Sequence, residues 1–194
     1  MRPSTALRTL SLTLFGAIGG ACTTDSPLAS GVDAADFRPM QVIVDPAVSV
    51  DVLQRLTPIT GNVTVSMTLG QLGGQIKLPE AGLSVEVPEG AFNSRTLTIT
   101  VTALAGTNVA YEFEPHGIVF QKPLRVTQSL KGTNLYKLAS TAGVEAAYYA
   151  DPMQVVTGKA KVNEFRPSRV DVTNSKLEYT VGHFSGYLVS SGRQ

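Results

Sequence analysis

The sequence predicts an all-β fold, an antiparallel β-sandwich, and three observations carry that prediction. Apolar residues recur at every second position: Val63, Val65, Met67 and Leu69; Leu83, Val85 and Val87; Leu97, Ile99 and Val101. Successive side chains of a strand point to opposite faces, so this period marks strands with one buried side. Gly and Pro punctuate the runs, as at Pro79, Gly82, Pro88 and Gly90, where the chain must turn. Short runs separated by turns about every ten residues are the pattern of a sandwich, and no long amphipathic helical period interrupts them.

Residues 1–22 read as an export signal. Arg2 and Arg8 give a positive start, and residues 10–18 form an apolar run broken only by Ser11, Thr13 and Gly16. That run is shorter than the roughly 20 apolar residues a spanning helix needs. Gly19, Gly20 and Ala21 then precede Cys22, the layout of a secretory signal. A cysteine after small residues resembles a bacterial lipoprotein signal, which implies acylation of the Cys22 thiol. Gly19 stands where that pattern prefers leucine. Cys22 is the single cysteine, so no internal disulfide is available to the fold. Thr23 rather than aspartate follows it, which by the same resemblance implies an outer-membrane destination.

Residues 23–60 divide into a tether and uncertain short elements. Residues 23–38 are small and polar, with too little apolar area to offset the entropy of ordering. Residues 41–44 suit a short edge strand. Val50, Leu53 and Leu56 recur at three-residue spacing, which permits a helical turn or a strand, and Pro58 is expected to end either one.

The sandwich is expected over residues 61–190. After the runs above, Val109, Tyr111 and Phe113 would face one side of a strand and Ala110 and Glu112 the other. Residues 122–130 continue as a strand, and 132–140 are less regular, with room for a helical turn. Residues 144–150, 155–162 and 169–172 read as strands, and 177–189 as one or two more.

Within this domain the segment Gly82-Leu83-Ser84-Val85-Glu86-Val87-Pro88-Glu89-Gly90-Ala91-Phe92 is followed by a strand-like run over residues 96–101. Next come Pro115-His116-Gly117 and Phe120-Gln121-Lys122-Pro123, and near the C-terminus His183-Phe184-Ser185-Gly186-Tyr187. In this order the elements resemble the ZU-five domain, a β-sandwich module of zonula occludens proteins, netrin receptors, ankyrins and many bacterial envelope proteins. The resemblance spans roughly residues 61–189.

Composition excludes several functions. Lys and Arg number 16 against 15 Asp and Glu, without the basic excess that nucleic-acid binding normally leaves. Only two histidines occur, His116 and His183. No His-Glu-x-x-His, Cys-x-x-Cys or Gly-rich phosphate loop is present, so no metal or cofactor is expected. Glu112 and Glu114 share a strand face, and Glu80, Glu86 and Glu89 are close in sequence. Solvated carboxylates explain them better than calcium or acid–base work, since no Asp-rich loop accompanies them. His116, between Pro115 and Gly117, reads as support for a turn.

His183-Phe184-Ser185 is the sharpest chemical feature. The resemblance implies that this tripeptide is the self-cleavage motif of some members. His183, with an ordinary pKa near neutrality, suits the base that a serine hydroxyl needs. Ser185 would attack the Phe184 carbonyl, and the resulting ester would hydrolyse. The alternative is structural: Phe184 in the core, with His183 and Ser185 sharing the outer face. Glu178 is the nearest upstream carboxylate, but spacing gives it no role.

The functional expectation is an exported, lipid-anchored cell-envelope β-sandwich acting as a binding or structural module for a protein or envelope partner. It would sit in the outer membrane through Cys22. The alternative is a self-processing domain that cuts between Phe184 and Ser185. A conventional enzyme is not expected, because no acid–base constellation stands out.

Overall fold

The computed structural model describes residues 47–136, 143–156 and 158–193. The signal over 1–22 with Cys22, the tether over 23–38 and the strand expected over 41–44 lie outside the described residues. So do 137–140 of the irregular stretch.

The described chain is all-β, with sixteen strands in sequence order. They are β1 (Val48–Val52), β2 (Gln54–Ile59), β3 (Val63–Gly70), β4 (Gly74–Leu78), β5 (Leu83–Val87), β6 (Thr96–Ala103), β7 (Gly106–Asn108) and β8 (Ala110–Glu114). Then follow β9 (Val119–Ser129), β10 (Glu145–Tyr149), β11 (Val155–Val156), β12 (Lys159–Val162), β13 (Glu164–Arg166), β14 (Ser168–Asp171), β15 (Lys176–His183) and β16 (Gly186–Arg193). The only helical pieces among the described residues are two three-residue 3₁₀ turns, Pro79–Ala81 and Pro152–Gln154.

The strands form two large antiparallel sheets and a ribbon. The smaller sheet runs β14-β15-β9-β5-β4. The larger follows β11-β12-β1-β16-β8-β6-β3, with β10 on β16 and β13 on β10. Ribbon β2-β7 stands apart. The two sheets share one apolar core. Ile76, Val85, Leu124 and Leu177 of the smaller sheet meet Ile99, Val101, Tyr111 and Phe113 of the larger, all fully buried. The period-two residues Leu83, Val85 and Val87 of β5, Ile99 and Val101 of β6, and Tyr111 and Phe113 of β8 are thus buried inward faces, whereas in β3 only Leu69 of its run is buried and Met67 is exposed. The solvent face of the β3–β6 pair carries hydroxyl rungs: Thr64 with Thr102, Ser66 with Thr100 and Thr68 with Thr98, each 2.8–2.9 Å apart. Such cross-strand pairs hold register on an exposed face. Between β3 and β4, Gly73 has φ +73°, and a Cβ there would strike the Val87 carbonyl, so the turn requires glycine.

Two expectations are corrected. Residues 48–59, assigned to the uncertain 23–60 segment, belong to the fold. Strand β1 pairs β12 on one side and β16 on the other, and Val50, Val52 and Leu53 are buried. The sandwich therefore begins near Val48 rather than at 61. Pro58 does not end the run either. It lies inside β2, where the ladder to β7 is irregular between Gln54 and Ile59, so its missing N–H breaks no regular rung.

The larger sheet also encloses a second, smaller core on its other face. Strand β16 pairs both β1 and β10, β1 pairs β12, and β10 pairs β13. Asn163 joins β12 to β13 and donates its N–H to the Tyr148 carbonyl at 2.9 Å. These pairings close a small ring of strands. Its interior is Val50, Val52, Ala147, Tyr149, Ala160, Val162 and Leu188, with Ala110 of β8.

Candidate functional site

Strand β15 ends at His183 and β16 starts at Gly186. His183-Phe184-Ser185 is therefore the crossover by which the chain leaves one sheet and enters the other. The alternation expected to place His183 and Ser185 on a common face does not run through it, because Phe184 and Ser185 lie outside either strand.

Phe184 is the wedge of this crossover. It is 2% exposed, edge-on to Phe120 with ring centres 4.6 Å apart and stacked on Phe113 at 5.9 Å. Its N–H donates to the Ile118 carbonyl at 2.9 Å, and the Phe113 N–H donates to the Ser185 carbonyl at 3.1 Å. The peptide groups on either side of the Phe184–Ser185 bond are thus each held by a backbone hydrogen bond. The Ser185 side chain is half-buried, and no described residue hydrogen-bonds its hydroxyl.

His183 faces tyrosines. Its ring is edge-on to Tyr148, with centres 5.2 Å apart, and 5.8 Å from Tyr187. The Tyr187 hydroxyl donates to the His183 carbonyl at 2.8 Å, while the ring nitrogens stand farther off at 3.4 and 3.5 Å. With one proton to give, the phenol serves the closer carbonyl. Burial raises the Tyr187 pKa, with Arg166 opposing, so the phenol is neutral over the physiological range. Arg166 donates from Nε to the Thr180 carbonyl at 3.0 Å and pairs with Glu164.

The carboxylates disperse. Glu112 accepts from the Tyr149 hydroxyl at 2.7 Å, and its other oxygen is 3.5 Å from His116 Nε2. Burial raises the Glu112 pKa, and the Tyr149 bond opposes the rise. Glu114 is exposed at the end of the same strand. Glu86 pairs with Arg125 at 3.6 Å, and Glu178 with Arg169 at 2.7 Å. These two pairs line an open groove of about 590 Å³ on the outer face of the smaller sheet. Glu178 thus answers to Arg169, not to the His183 crossover. Among the described residues no group of three or more His, Cys, Asp or Glu is gathered for a metal ion.

Sequence reasoning missed the setting of His183. Tyr148 lies 35 positions earlier (183 − 148 = 35) and reaches it only through the β10–β16 pairing. It also missed Arg55, a cation buried at one end of the sandwich. No local signal set it apart, since Asp51 and Gln54 share the same stretch.

No protein-family model matches the chain, and no curated protein matches it.

Proposed function

We propose that this chain is an exported β-sandwich of the ZU-five kind, anchored to the outer membrane through lipid on Cys22. It acts there as a binding or structural module for a protein or envelope partner. The carrying observation is the N-terminal layout: Arg2 and Arg8, the apolar run over 10–18, Gly19-Gly20-Ala21, then Cys22. Residues 23–47 separate that cysteine from β1, the first described strand. Such a length lets a folded sandwich stand clear of a membrane surface. A single acyl chain binds reversibly, whereas two or more hold firmly.

The experiment is expression of the chain and its Cys22→Ala variant in a bacterium with two membranes, followed by fractionation and intact mass. The parent is expected in the outer-membrane fraction with the added mass of acyl chains, and the variant in the soluble periplasm. A parent found soluble, with no added mass, would overturn the anchor.

Self-processing at Phe184–Ser185 is the second reading, supported by the backbone bonds that hold the peptide groups flanking that bond. Ser185 Oγ would add to the Phe184 carbonyl carbon, His183 taking the hydroxyl proton. The C–N bond would break to give an ester with a free Ser185 amine, and water would release Phe184 as a carboxylate. For this the His183 ring must turn from Tyr187 toward Ser185. Denaturing mass analysis of the aged protein decides it. Fragments ending at Phe184 and beginning at Ser185, absent from Ser185→Ala, support processing. A single intact chain overturns it.

A further inference from the structure

Arg55, in β2, is 7% exposed, yet none of the ion pairs among the described residues includes it. One terminal nitrogen donates to the Asn108 carbonyl, and the other lies 3.4 Å from the Tyr111 hydroxyl. Nε is buried and has no acceptor among the described residues. A guanidinium carries five N–H groups in a fixed fork, and its terminal nitrogens make two hydrogen bonds to described residues. A charge taken from water without a counter-charge is among the costliest groups a fold can bury.

Tyr111 is not that counter-charge. Burial pushes its phenol up to about 12, so it stays neutral. Its hydroxyl meets Gln128 Oε1 and, at 3.0 Å, the Ala81 carbonyl. The aromatic ring lies 5.7 Å from the guanidinium carbon, a weak contact compared with a paired carboxylate.

Beside Arg55 a cavity of about 260 Å³ opens at this end of the sandwich. Arg55, Thr57, Gln128, Ser129, Lys131 and Thr133 line it. Lys131 adds a second cation at the exposed rim. Glu80 is the one carboxylate among the described lining residues, exposed and without an ion pair to Arg55.

We infer that this cavity is a binding site for a ligand ending in an oxyanion, a carboxylate or a phosphate, with Arg55 as its charge anchor. A planar guanidinium recognises such a group with directed, charge-assisted hydrogen bonds. Lys131 and the hydroxyls around the cavity supply further donors. The site stands whether or not the chain is exported or lipid-anchored.

The test follows the Arg55 Nε–H resonance of the ¹⁵N-labelled protein, assigned through its backbone. Chloride is replaced by acetate in one series and by inorganic phosphate in another, at constant ionic strength. The expected result is a saturable shift of that resonance, with the tighter-binding probe identifying the preferred oxyanion. Lys131→Gln, at the exposed rim, should weaken binding about threefold. Shifts that grow linearly without saturation for both probes would overturn the site. So would a resonance already at its anion-bound position in chloride and unmoved by either probe, since a carboxylate of the chain itself would then fill the cavity.

Discussion

The Tyr149 ring occupies the space that a side chain at Gly186 would need. A Cβ built on Gly186 would overlap the ring carbons of Tyr149, its partner across the β10–β16 ladder. The ring can lie there only because position 186 carries hydrogen. In that place the Tyr149 hydroxyl donates to Glu112 at 2.7 Å, with the Tyr111 carbonyl 3.1 Å away.

Gly186→Ala should therefore push Tyr149 off these partners and open the second core. Overpacking of this kind costs about 1–3 kcal/mol, expected as a lower urea midpoint with an unchanged slope. An unchanged midpoint would mean that the ring moves aside freely.

Buried phenols set the alkaline limit. Tyr111 is raised from 10.0 to about 12 by burial, against the lowering influence of Arg55. Burial likewise raises Tyr149, Tyr179 and Tyr187. The folded state holds these protons more tightly than the unfolded chain. Their contribution is therefore fully present below pH 10 and is lost as pH rises through the folded values. Absorbance at 295 nm should show these four phenolates forming only together with unfolding. Denaturant midpoints should fall steadily above about pH 10. Free titration of all four in the folded protein would contradict this packing.

Glu112 gives an acid-side prediction of opposite practical sense to the usual carboxylate. Its folded pKa is raised, chiefly by burial. The folded state then favours the protonated form, so stability is greatest below the unfolded value and declines as pH rises through the folded one. Glu112→Gln keeps an acceptor for Tyr149 and removes the charge. Its melting temperature should equal or exceed that of the parent at pH 7, and the difference should vanish on acidification. A variant less stable at pH 7 would show that the His116 pair, 3.5 Å away, outweighs the burial.

The inward faces of the sandwich were legible because each strand's alternation is local. Val85 and Ile99 need no knowledge of partners to be recognised as buried. Val50 and Val52 were not legible in the same way. They turn into a ring whose other walls, β10, β12 and β16, lie about 100 residues or more downstream, and no local period announces a pairing so distant. Pro58 misled because its effect depends on whether a regular ladder rung is required there. At the crossover, His183 and Ser185 looked like neighbours on one face. The chain changes sheets between them, and a change of sheet has no periodic signature. Arg55 reads in sequence as an ordinary exposed charge, since its burial depends on Asn108, Tyr111 and Gln128.

The crossover itself separates a side chain that holds the fold from one that does not. Phe184 fills the junction of the two sheets against Phe113 and Phe120. Phe184→Ala should cost about 3–5 kcal/mol. Ser185 contributes through its backbone carbonyl, which accepts from Phe113, and that bond survives truncation of the hydroxyl. Ser185→Ala should therefore stay within about 0.5 kcal/mol of the parent. Paired urea denaturation curves of the two variants check both values. A large loss in Ser185→Ala would give the hydroxyl a packing role and make that variant unusable as a folded control for self-processing. A small one leaves chemistry, not stability, as the property in which the Ser185 hydroxyl can matter.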